Sequence, residues 1–86
     1  MPTAHEVDEL LRRLRSLGFD LAEWRDVKTE GALERRAQIR EDIRNAVNHG
    51  HDELGLTYAE MAEELGISRQ HLDNIRREDP TGRKRG

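Results

Sequence analysis

Residues 57–77 read TYAEMAEELGISRQHLDNIRR, and the apolar side chains of this stretch fall at Met61, Leu65, Ile67, Leu72 and Ile75. That spacing predicts two short amphipathic helices closing a small core between them. Thr57 with Glu60 three residues later is a capping box that opens the first helix, and Gly66 stops it. Ala62 falls where the two helices cross and a larger side chain would push them apart. Gly66 supplies the positive φ that a three-residue turn between near-perpendicular helices requires. Ser68 caps the second helix, which carries Leu72 and Ile75 inward. It cannot pass Asp79, because Pro80 disfavours helical geometry at the residue before it.

Upstream, Thr3 and Glu6 make another capping box, followed at helical spacing by Val7, Leu10, Leu11, Leu14 and Leu17. A first helix is expected over residues 4–17. Gly18 then reads as a left-handed stop with Phe19 folding back, and Asp20 with Glu23 opens a short second helix carrying Leu21, Trp24 and Val27. A competing pattern is that Val7, Leu10, Leu14, Leu17, Leu21 and Trp24 keep heptad spacing straight through Gly18, as one continuous helix would; the break is the reading adopted. Residues 29–31 interrupt the pattern. A third helix over 32–49 points Leu33, Ala37, Ile39, Ile43, Ala46 and Val47 at the core and ends at Gly50, leaving residues 51–56 as a polar connector. No strand alternation or internal repeat occurs. The expectation is an all-α domain of about five helices over residues 1–79, followed by a basic flexible tail over 80–86.

The 86 residues are 38% charged and 34% hydrophobic, enough for one small domain with no room for a separate catalytic one. No three residues of the AVILMFWYC set are consecutive, which argues against a membrane span or signal-peptide core and makes the cytoplasm the expected location. With no cysteine, disulfides and thiolate metal sites are excluded. No Ser/His/Asp order, Gly-rich phosphate loop or paired-carboxylate pocket stands out, so neither catalysis nor a cofactor is expected. His49, His51, Asp52 and Glu53 are metal-ligand types, but they read as connector polarity rather than as a site with a second shell. The net charge of −3 is unevenly spread: residues 1–67 carry 9 Lys/Arg against 15 Asp/Glu, and residues 68–86 carry 6 against 3. The C-terminal end is therefore a separate, basic region.

The segment from Thr57 to Arg77 resembles the helix-turn-helix of bacterial and phage repressors and of region four of sigma factors, with AEELGISRQ at residues 62–70 matching their common turn sequence. The resemblance covers these residues only. It implies a C-terminal helix-turn-helix whose second helix lies in the major groove of double-stranded DNA with its N-terminal residues nearest the bases. The residues support this independently. At about 100° per residue, Gln70, Asp73, Asn74 and Arg77 point away from Leu72 and Ile75, with Arg69 and Arg76 on the flanks. An ordinary helical hairpin would match the apolar positions, but a merely solvated helix here would be rich in Glu, as residues 60–64 are. Gln or Asn can pair with adenine, Arg with guanine, and Asp can accept from cytosine. Ser68, Arg69, Gln70, Asp73 and Asn74 are thus the base-reading candidates. Thr57 and Tyr58 are phosphate candidates beside a helix N-terminus, as the resemblance also implies. Arg76, Arg77, Arg83, Lys84 and Arg85 are further phosphate candidates, although the last three read equally well as a solubilising end. His71, between core and groove, is read as a part-buried imidazole, with a phosphate contact as the alternative.

The function expected is that of a sequence-specific double-stranded DNA-binding transcriptional regulator of the small repressor type. A homodimer is expected with it, because one short helix in one groove gives too little affinity. The N-terminal leucine stripe is either monomer core or the seam of that dimer. A second possibility is a protein-interaction module that binds RNA polymerase, a sigma factor or a toxin through the acidic N-terminal helices. A third is a phage DNA-packaging or excision accessory protein using the same motif.

Overall fold

The computed structural model describes residues 3–77. Among them the chain is all-helical, with α1 (Ala4–Trp24), α2 (Ala32–Leu54), α3 (Tyr58–Leu65) and α4 (Arg69–Arg77). Asp79, Pro80 and the tail with Arg83, Lys84 and Arg85 lie outside the described residues. None of the described helices is long and apolar enough to cross a membrane.

Two corrections to the helix boundaries concern glycine. The first helix does not stop at Gly18 but runs on to Trp24, so residues 4–24 form one helix and the count is four rather than about five. Gly18 is helical because its lack of a side chain is used for close approach: a Cβ there would lie 2.2 Å from the Leu65 carbonyl oxygen. Phe19, expected to fold back, is 72% exposed. Asp20 does not cap a second helix and lies 4.0 Å from Arg35 of α2.

Likewise α2 continues past Gly50 to Leu54 and ends at Gly55, which has φ +73°. Gly50 is buried where Leu10 of α1 and Met61 of α3 converge. Residues 51–54 are therefore helical rather than connector, and Leu54 and Leu56 are buried. Leu33 and Ala37, assigned to the core, are exposed, while Ala32 is buried instead.

The heptad stripe of α1 faces inward. Leu10, Leu14, Leu17 and Leu21 are buried, with Val7 and Trp24 partly covered at the two ends. They pack with Ile39, Ile43 and Val47 of α2 and with Met61 and Leu65 of α3 in one continuous core. The stripe is therefore interior to this chain, and a dimer would have to use another surface. Helix ends are tied across elements: Arg36 of α2 donates through Nη1 to the carbonyls of Trp24 and Val27, each at 2.8 Å, where α1 has run out of its own donors. A charged guanidinium also complements the negative C-terminal end of α1.

The last helix is held from both sides. Leu72 and Ile75 are buried against the rest of the core. From α2, Arg44, only 8% exposed, donates through Nη1 to the carbonyl of Ile75 at 3.2 Å. The fold thus presents α4 with one face buried and the opposite face in solvent.

Candidate functional site

The unit formed by α3, the turn and α4 is built by local hydrogen bonds whose residues are all visible in the sequence. Thr57 Oγ1 accepts from the Glu60 N–H at 3.1 Å and donates to the Glu60 carboxylate at 3.0 Å, while the Thr57 N–H reaches the same carboxylate at 3.4 Å. At the other end of α3, the Gly66 N–H bonds to the Glu63 carbonyl and the Ile67 N–H to the Ala62 carbonyl, each at 3.1 Å. This is a Schellman closure, and Gly66 provides its left-handed residue at φ +75°. Ser68 Oγ then accepts from the His71 N–H at 3.0 Å and starts α4.

No atom lies within 4 Å of a Cβ added to Gly66, so any penalty of substitution there is conformational rather than steric. Gly66→Val is expected to lose roughly 1–2 kcal/mol from the left-handed conformation. The measurement is the thermal unfolding midpoint, and an unchanged midpoint would contradict the turn described.

The exposed face of α4 carries Arg69, Gln70, Asn74 and Arg77, with Ser68 exposed just before it. Gln70, Asn74 and Arg77 share the side of the helix opposite Leu72 and Ile75, Arg69 lies on its flank, and Ser68 is exposed at the N-terminal end. Arg76 and His71 are half-buried at its margins, and Asp73, also half-buried, lies between Arg69 and Arg77 around the helix. Tyr58, also half-buried, brings α3 into the same surface. Its ring stacks on His51 of α2 with centroids 4.2 Å apart and planes within 3°. The Arg76 guanidinium lies 3.9 Å from the same ring centroid and donates through Nη2 to the Tyr58 hydroxyl at 3.0 Å. Two planar groups so close to one centroid cannot share a face, so His51 and Arg76 enclose Tyr58 between them. Arg69 approaches the ring at 5.6 Å. Asp73 joins the cluster through Arg69 and Arg76.

Two expected phosphate contacts are therefore already engaged within the chain. The Thr57 hydroxyl is occupied in its capping box by the Glu60 carboxylate, which also sets a negative charge beside the N-terminus of α3. Arg76 is held by Tyr58 and Asp73. Tyr58, as acceptor from Arg76, keeps its own O–H proton free to donate outward. Arg77 is exposed.

Sequence reasoning passed over His51, treated as connector polarity. Its Nδ1 lies 3.3 Å from Asp52, but its ring serves the stack on Tyr58. Nothing in the spacing of His51 and Tyr58 announces this contact, which depends on how α2 ends. Arg44 was missed as well, although its place between Ile43 and Ala46 puts it on the buried arc of α2. Among the described residues no group of three His, Cys, Asp or Glu is arranged to hold a metal ion. No family model, curated protein or solved structure matches the chain.

Proposed function

We propose that the chain is a sequence-specific double-stranded DNA-binding transcriptional regulator of the small repressor type, with α3, the turn and α4 acting as a helix-turn-helix and α4 entering the major groove. The observation that carries this reading is the exposed side of α4. It offers Arg69, Gln70, Asn74 and Arg77 on a helix only nine residues long whose opposite side is buried. Guanidinium and carboxamide groups are the side chains that form bidentate pairs with guanine and adenine edges in the major groove. In this reading Gln70 and Asn74 read bases, Ser68 and Arg69 lie at the N-terminal end nearest the groove floor, and Arg77 and Tyr58 contact phosphates. An acidic chain binds through such a local patch despite its net charge of −3.

The test is selection of binding sites from randomised duplexes, followed by electrophoretic shift of the full chain on the selected site. Gln70→Ala and Asn74→Ala are each expected to weaken binding by about 1–3 kcal/mol while helicity and melting stay unchanged, since both side chains are exposed. Unaltered affinity in both variants would remove α4 from the groove.

A homodimer remains part of the proposal because two half-sites multiply the affinity of one short helix. Since the leucine stripe is interior, that dimer uses other residues. The alternative reading is a protein-interaction module, for which Phe19 and Leu33, 72% and 76% exposed, are the apolar side chains on offer. Failure to shift any selected duplex, with a retained partner lost on Phe19→Ala, would establish that reading instead.

A further inference from the structure

The carboxylate of Asp73 stands among the groove-facing residues of α4, yet its contacts point along the helix. Its Oδ1 lies 3.5 Å from Arg69 Nε, one turn before it, and 3.4 Å from Arg76 Nη1, one turn after it. We propose that Asp73 is a positioning residue that holds the Arg69 guanidinium for a guanine, and that it does not itself read a base. The inference rests on the DNA-binding reading of α4 and assigns one base of the site.

The argument begins with Arg76. Its guanidinium lies over the Tyr58 ring, bonds to the Tyr58 hydroxyl, and has a buried Nε. Fixed on that side, it in turn fixes the Asp73 carboxylate, whose oxygen already faces two cations. A cytosine amino group would offer Asp73 only a neutral contact, weaker than the charge-assisted ones that its Oδ1 already makes with two guanidinium groups. Its side chain is also only 30% exposed, against 55% for Arg69. The longer, more exposed arginine is the group that reaches the groove.

The ion pair with Asp73 is made through Nε at 3.5 Å, and the other edge of the Arg69 guanidinium, formed by Nη1 and Nη2, is the one assigned to a ligand. Two parallel N–H donors match the O6 and N7 acceptors of guanine. A planar fork restrained by an ion pair loses less rotamer freedom on binding than one with no neighbouring carboxylate. The chain His51, Tyr58, Arg76, Asp73, Arg69 therefore links α2 and α3 to one base-reading group on α4.

The experiment is a double-mutant cycle on the full chain, with Arg69→Ala, Asp73→Asn, Asp73→Ala and the double variant Arg69→Ala/Asp73→Asn. The quantity read is the affinity ratio between the selected duplex and duplexes altered at single base pairs. Arg69→Ala is expected to lose a preference of about tenfold for guanine at one position. Both Asp73 variants should lose most of that preference at the same position, while their affinity for unrelated DNA rises. The double variant should be no less selective than Arg69→Ala alone, because groups that act through one another are not additive. Additive losses, a loss at a different base pair, or retained guanine preference in both Asp73 variants would overturn the positioning role and leave the DNA-binding reading intact. A wild-type chain with no preference among duplexes would overturn both.

Discussion

Gly18→Ala is expected to lower the unfolding midpoint by about 10 °C or more, which reverses the usual sign of that substitution in a helix. Inside an exposed helix, replacing glycine by alanine gains about 1 kcal/mol, because glycine loses more backbone freedom on folding. Gly18 lies within α1, so this gain applies. Opposing it, the new Cβ would lie 2.2 Å from the Leu65 oxygen, 2.9 Å from its carbonyl carbon and 3.1 Å from its Cα. These are backbone atoms of the last turn of α3, and they can yield only if α1 and α3 move apart. Separation would loosen Leu14 and Leu17 from Met61 and Leu65 in a densely packed core. Overpacking of this kind costs about 3 kcal/mol, which outweighs the intrinsic gain and leaves a net loss of roughly 2 kcal/mol. In a domain of this size that is on the order of 10 °C. Gly50→Ala provides the control. Its Cβ would meet Leu10 Cδ2 at 2.4 Å and Met61 Sδ at 2.7 Å, the mobile ends of flexible side chains that can turn aside. Its loss should be about half as large. A Gly18→Ala protein as stable as the wild type would mean that α1 and α3 are not in backbone contact there.

The same two glycines are where the local sequence pattern and the structure part. A glycine after a run of apolar residues reads as a stop, because a left-handed residue is the commonest reason for glycine at a helix end. At Gly66 that reason holds: the backbone has positive φ and the closing hydrogen bonds are local. At Gly18 and Gly50 the glycine answers instead to a neighbour far along the chain, Leu65 in one case and Leu10 with Met61 in the other. No local pattern distinguishes the two uses. The uninterrupted heptad from Val7 to Trp24 was the better guide, since it required no break to keep its apolar face inward. The caps at Thr3, Thr57 and Ser68 were legible because donor and acceptor lie three residues apart. So was the exposed side of α4, which follows from Leu72 and Ile75 alone. The enclosure of Tyr58 by His51 and Arg76 was not, because its three members come from three helices.

Arg44→Ala is expected to destabilise the fold by about 2–4 kcal/mol, the result of removing a buried guanidinium together with the stem that fills its site. A charged residue in the middle of α2 reads as solvated, yet Arg44 is only 8% exposed and its Nη1 donates to the Ile75 carbonyl, 31 positions away in sequence. A hydrogen bond from a charged donor contributes about 1.5–3 kcal/mol, and the cation also faces the negative end of α4. Arg44→Met separates the two parts of the loss. Methionine restores much of the apolar volume without the charge, and it also removes the cost of desolvating a guanidinium. Its loss should therefore be smaller, about 1 kcal/mol, and should fall mainly on α4. Amide hydrogen exchange in α4 is the local measurement: residues 72–77 should exchange faster in Arg44→Met, while the α1 amides around Leu14 stay protected. If α4 is the groove-reading helix, the same variant should bind the selected duplex more weakly without changing which base pairs it prefers, because a helix loosened as a unit loses all its contacts together. Equal protection of α4 in Arg44→Met and wild type would show that the Arg44 bond to the Ile75 carbonyl does not fix this helix.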